Sequence, residues 1–87
     1  MNKRTEILET AKALINGDRE RDYGTPAENF KRAAVGWSVI LDQDVSAEQV
    51  ALCMAWLKIS RLVNGVHEDS YIDAAAYMAL AGELSEC

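Results

Sequence analysis

Apolar residues recur at helical spacing in four separate stretches of this chain, and polar or glycine-containing segments divide them. In the first, Ile7, Leu8, Ala11, Leu14 and Ile15 follow the i, i+1, i+4, i+7, i+8 pattern of one buried stripe. That predicts a helix from Thr5 to about Asn16, capped by Thr5 and stopped at Gly17. The second stripe, Phe30, Ala33, Ala34, Trp37, Ile40 and Leu41, predicts a helix ending near Leu41, before Asp42-Gln43-Asp44. The third is apolar over a wider arc. Val50, Cys53, Met54, Leu57 and Arg61 line one face and Ala51, Ala55 and Leu62 an adjacent one, as in a helix buried between others or between two subunits. The fourth, with Ile72, Ala75, Ala76, Ala79 and Leu80 on its stripe, is expected to begin at Asp69 or Ser70 and run to about Leu84.

The helix starts are written locally. Thr25-Pro26-Ala27-Glu28 places an N-cap threonine, a proline at the first helical position and a glutamate at N3. Ser46-Ala47-Glu48-Gln49 repeats the capping box, with Val45 and Val50 in the positions of a hydrophobic staple. Asn64-Gly65 is expected to end the third helix, and Ser70 with Asp73 forms a weaker box for the fourth. These signals predict an all-α fold: one domain over residues 1–87, a bundle of four helices joined by short loops.

Composition narrows the picture. One proline and five glycines leave long uninterrupted stretches, which favours helices over a many-turned β fold. A chain of 87 residues supports only a small core and often oligomerises, so a homo-oligomer is expected, with Trp56 a candidate interface residue. No run approaches a membrane span, and the basic start MNKR is followed by acids rather than an apolar segment, so a cytoplasmic location without membrane contact is expected. Cys53, inside an apolar run, reads as a buried structural thiol, and Cys87 as a terminal one; with a single histidine they do not make a zinc site. The net charge of −5 argues against a duplex nucleic acid partner. Charge is also uneven: residues 33–87 carry eight acidic side chains and only two basic ones, Lys58 and Arg61.

Candidate chemistry gathers around those two. Lys58 and Arg61 stand a turn apart at the end of the third helix, and Asp69 and Asp73 a turn apart at the start of the fourth. The plain reading is an ion-pair cluster, with the aspartates complementing the helix dipole. The functional reading gives Lys58 and Arg61 a phosphate or carboxylate to bind, with Arg supplying a fork and Lys a point charge. The two aspartates could hold Mg²⁺ with water completing its shell. His67 in the corner loop reads as a solvated or capping residue before it reads as a ligand contact. Tyr77 continues the Asp73 face. Tyr23, before Gly24, either packs on the core or presents its ring to a ligand, and Asn29 either ties down the preceding loop or touches a ligand. No nucleophile–base pair, glycine-rich phosphate loop or dense carboxylate set is present, so no catalytic residue is assigned and an enzyme is the less favoured reading.

The combination D-Y-G-x-P-x-x-N-F at Asp22–Phe30, K-x-x-R at Lys58–Arg61 and H-x-D-S-x-x-D at His67–Asp73, with Tyr77, resembles an uncharacterised family of small phage and prophage proteins. The sequence departs from that pattern at Ala76, where a glycine is expected before the tyrosine. The resemblance implies a phage-related origin and an all-α fold. A fainter similarity is to MazG-like all-α nucleotide pyrophosphohydrolases, but the first of their acidic clusters is missing, since the second and third helices offer only Glu28 and Glu48. The leading expectation is a phage accessory protein that binds an anionic small molecule, a nucleotide, and sequesters it as a sponge against host defence signalling, without turnover or cofactor. In it Lys58 and Arg61 hold phosphate, Tyr23 stacks on a base, and Asn29, Asp69 or Asp73 bond to sugar or base, with His67 and Tyr77 nearby. The alternatives are a Mg²⁺-dependent pyrophosphohydrolase with Asp69 and Asp73 as ligands, and an interaction module that blocks a host protein through the surface near Trp56.

Overall fold

A computed structural model describes residues 2–17 and 24–86. They form four α-helices: α1 (Lys3–Ile15), α2 (Pro26–Leu41), α3 (Ala47–Ser60) and α4 (Glu68–Leu84), with a 3-10 turn at Arg61–Asn64 and no strand among the described residues. The fold is all-α. Helix α4 packs against both α3 and α1, and α2 packs against α3.

The caps explain the boundaries. Ser46 Oγ accepts from Gln49 N–H at 3.1 Å and Gln49 Oε1 accepts from Ser46 N–H at 2.9 Å, so both halves of the capping box form. Thr25 Oγ1 accepts from Glu28 N–H at 3.2 Å, with Pro26 opening α2. Helix α1 starts earlier than the apolar stripe indicates. Asn2, not Thr5, is its N-cap, its Oδ1 accepting from Thr5 N–H at 2.9 Å. Gly17 follows the C-cap Asn16, and a Cβ at Gly17 would stand 2.6 Å from the Ala13 carbonyl oxygen. Helix α4 begins at Glu68 with His67 as N-cap, and the expected Ser70 box does not form. Ser70 sits inside the helix, fully buried, its hydroxyl without a partner.

The main core joins α2, α3 and α4 through Phe30, Ala34, Val50, Ala51, Leu80, Ala81 and Leu84, with Val45 packed beside it as the staple requires. A second cluster, Ala11, Ile72 and Ala76, seats α1 on α4. The run of small residues lets these helices approach closely.

Several expected core positions lie outside. Ile40 and Leu41 are exposed, because the C-terminal turn of α2 has no helix against that side. Cys53 is exposed rather than buried, and so are Leu57 and Arg61; the buried face of α3 is Val50, Ala51 and Ala55. Leu8 and Ala79 are exposed as well. Cys87 lies outside the described residues.

Candidate functional site

Helices α1, α2 and α4 leave a cleft of about 280 Å³ between them. Leu14 and Ile15 come from α1, Gly24 from just before α2, Pro26, Asn29 and Phe30 from its start, and Asp73, Ala76, Tyr77 and Leu80 from α4. The local chemistry places them. Pro26 at the first helical position and the Thr25 cap fix where α2 begins. Gly24 takes a φ of +83°, a conformation that side chains disfavour, as the backbone enters the helix. Asn29 and Phe30 then follow on the first turn. On α4, Asp73, Ala76, Tyr77 and Leu80 share one face by their three- and four-residue spacing.

The cleft is lined by two aromatic rings and by polar groups. Phe30 and Tyr77 meet edge-to-face, ring centroids 6.1 Å apart at an interplanar angle of 90°, an arrangement that favours both rings. Asn29 brings a donor and an acceptor, Tyr77 a hydroxyl and Asp73 a carboxylate. Asp73 Oδ2 in turn holds Lys58 Nζ at 3.0 Å, the cation reaching over from α3. The side chains of this pair are 18 % and 29 % exposed, so it is shielded more than a surface ion pair. A second cleft of about 170 Å³ shares Ile15, Pro26 and Leu80 with the first and extends to Thr25, Ala27 and Glu83.

Of the residues singled out from sequence, Asn29, Asp73 and Tyr77 line the cleft and Lys58 is bound to one of them. Arg61, His67 and Asp69 are exposed and do not line it. Arg61 stands in the 3-10 turn and His67 caps α4 through its backbone, accepting from Ser70 N–H at 3.0 Å. The expected four-charge corner is therefore half assembled, Lys58 with Asp73. Tyr23 lies outside the described residues. Among the described residues no three of His, Cys, Asp and Glu converge on a point where a metal ion could sit.

Sequence reasoning missed Leu14, Ile15, Pro26, Phe30, Ala76 and Leu80 as cleft residues, reading them as core or cap. A signal was present: Gly24, Pro26, Asn29 and Phe30 all belong to the first motif, and their shared placement makes that motif a cleft wall. No helix among the described residues is long and apolar enough to cross a membrane.

Comparison with known proteins agrees with a phage-related origin. The chain is 41 % identical over 81 residues to the Gene 55 protein of Mycobacterium phage D29, a match that covers 92 % of this chain and 54 % of that protein. To the Gene 55 protein of Mycobacterium phage L5 it is 42 % identical over 80 residues, covering 90 % of this chain and 51 % of the relative. The chain thus spans about half the length of the curated relatives it matches. No solved structure gives a significant match. A family model described as a domain of unknown function, DUF6378, matches residues 6–85, nearly the whole chain, and the chain belongs to that family.

Proposed function

We propose that this domain is a phage accessory module that binds a nucleotide in the cleft between α1, α2 and α4 and sequesters it without turnover in the cytoplasm of the host cell. One observation carries the reading. Two segments far apart in sequence, around Asn29 and around Asp73 and Tyr77, bring polar groups to a single concave, mostly apolar place, and Lys58 is bound to Asp73 beside it.

The dimensions and the chemistry fit a base or nucleoside portion. A volume of about 280 Å³ is at the small end for ligand sites, enough for a planar heterocycle with its sugar and too little for a dinucleotide. Phe30 and Tyr77 offer ring surface to such a heterocycle. Asn29 and Asp73 match the donors and acceptors along its edge. Lys58 holds the Asp73 carboxylate in place and adds positive charge beside the cleft. Phosphate groups would extend past the rim toward Lys58 and Arg61. Asp69 and His67 stand off the cleft, and any contact of theirs would be with this outer portion.

The hydrolase alternative has less support. Mg²⁺-assisted attack needs a set of free carboxylates, and here Asp73 is engaged by Lys58 while Asp69 stands exposed away from the cleft lining. The deciding experiment incubates the purified protein with linear, cyclic and ADP-ribose-type nucleotides, with and without Mg²⁺. Ultrafiltration then separates free from bound ligand, and both flow-through and heat-released fractions go to HPLC. Depletion followed by unchanged recovery is the expected result. A new product peak that EDTA suppresses establishes an enzyme instead, and passage of every nucleotide untouched removes the nucleotide reading for that panel.

A further inference from the structure

The outward side of α3 is apolar and uncharged between Glu48 and Lys58. Leu52, Trp56 and Ile59 are exposed at spacings of four and three, and Val63 is exposed in the 3-10 turn that follows. A four-three series lays an apolar seam along one side of a helix, the geometry by which helices pair. Trp56 is 68 % exposed and Val63 86 %. No residue between Glu48 and Lys58 is charged, and those two are themselves half-buried. On α2 no residue between Arg32 and Asp42 is charged, and Val35, Val39 and Ile40 are exposed there.

The molecule as a whole also exposes more surface than its mass predicts. The chain exposes 6221 Å², whereas a folded monomer of 9.6 kDa exposes about 5,100 Å² by the usual scaling. The excess, about 1,100 Å², is more than the roughly 800 Å² that each partner buries in a standard interface. The radius of gyration, 13.7 Å, exceeds the value of about 12 Å for a compact domain of this length.

We propose that two copies of this chain pair through α3, with Trp56 and Ile59 nearest the two-fold axis. A second copy fits this surface better than the other occupants. In a two-fold pair each patch meets its own copy, and an uncharged apolar seam is complementary to itself. It carries no charge pattern that would select a different protein. A chain of net charge −5 with no basic residue along the seam is repelled by an anionic membrane.

The test is the mass of the full chain in solution by sedimentation equilibrium over a hundredfold concentration range, for the native sequence and for Trp56→Glu and Ile59→Glu. The expected result is twice 9.6 kDa for the native chain and 9.6 kDa for both variants, with Leu8→Glu, on the exposed side of α1, remaining dimeric. Should the glutamate variants unfold, a Trp37→Phe background leaves Trp56 as the only tryptophan, and its emission is read on dilution. A red shift as the mass halves supports the α3 seam; a halved mass with no shift overturns it. A native chain that is monomeric throughout also overturns the pairing and leaves the seam to a different protein. Glutamate variants that keep the native mass overturn it too.

Discussion

Lys58 Nζ and Asp73 Oδ2 stand 3.0 Å apart across the α3–α4 contact, at the edge of the cleft that Asp73 lines. The pair is neither a free surface bridge nor a fully buried one. Exposed bridges contribute about 0.2–1 kcal/mol, and removal of one partner from a buried pair costs about 3–5 kcal/mol. Lys58→Met should therefore cost about 1–2 kcal/mol in urea unfolding, between these limits. The double variant Lys58→Met/Asp73→Asn should cost less than the two single changes added together. Strict additivity would show that the two side chains do not interact in solution.

Arg61 provides the contrast. It is exposed and makes no ion pair among the described residues. Arg61→Ala should leave stability within about 0.5 kcal/mol of the native chain. If Arg61 reaches ligand phosphate, the same change should weaken binding of a nucleotide and leave binding of the matching nucleoside alone. Equal weakening of both would place Arg61 elsewhere in the recognition, and a large loss of stability would make it structural.

Among the described residues Ser70 is the one buried polar side chain, and its hydroxyl has no hydrogen-bond partner. A hydroxyl taken from water without compensation costs about 1–3 kcal/mol. Ser70→Ala removes that cost and one small atom, so it should stabilise the fold by about 1 kcal/mol in thermal or urea unfolding. A clear destabilisation would mean that the hydroxyl has a partner in solution.

The first cap offers a direct comparison of two residues. Asn2 accepts from the Thr5 N–H, and Thr5 stands inside α1. Asn2→Ala should cost about 1 kcal/mol, in line with other N-cap losses. Thr5→Ala should cost little, since alanine is the better helix former. Thermal melts of the two variants, followed by circular dichroism, decide which residue is the cap.

These cases show what the chain made legible and what it withheld. Ser46 with Gln49, and Thr25 with Pro26, could be read because a cap is a bargain between neighbours three residues apart. The fold class followed from the same local rules. The stripes were less reliable, because an apolar residue marks a surface that shuns water without saying what covers it. Ile40, Leu41, Cys53 and Leu57 met the rule for burial and still lie outside, the first two because the end of α2 lacks a helix on that side and the others because α3 buries its Val50, Ala51 and Ala55 face. Lys58 and Asp73 could be paired from sequence because one corner joins their helices. The change from α-helix to 3-10 turn at Arg61 could not be read, and with it the rest of the expected charge corner came apart. The cleft itself needed α1 against α4, a contact between the two ends of the chain that no local pattern encodes.

That end-to-end contact also sets a pH dependence. Lys3 Nζ lies 2.9 Å from Glu68 Oε1 and 3.6 Å from Glu6 Oε2, tying the start of α1 to the start of α4. Its hydrogen bond to Glu68, then the negative charges of Glu68 and Glu6, hold the Lys3 ammonium above its usual 10.5. A cation whose pKa is higher folded than unfolded stabilises the fold fully below the unfolded value, and the contribution vanishes as pH rises through the folded one. The native chain should thus lose stability above about pH 10.5 by more than Lys3→Met does, and the two should differ by a constant amount at lower pH. Glu68→Gln should remove most of the same difference. Because the groups are exposed, the effect should shrink in high salt. Melting temperatures of the three proteins between about pH 9 and pH 11.5 measure it, and parallel curves across that window would mean that Lys3 does not bridge the helices in solution.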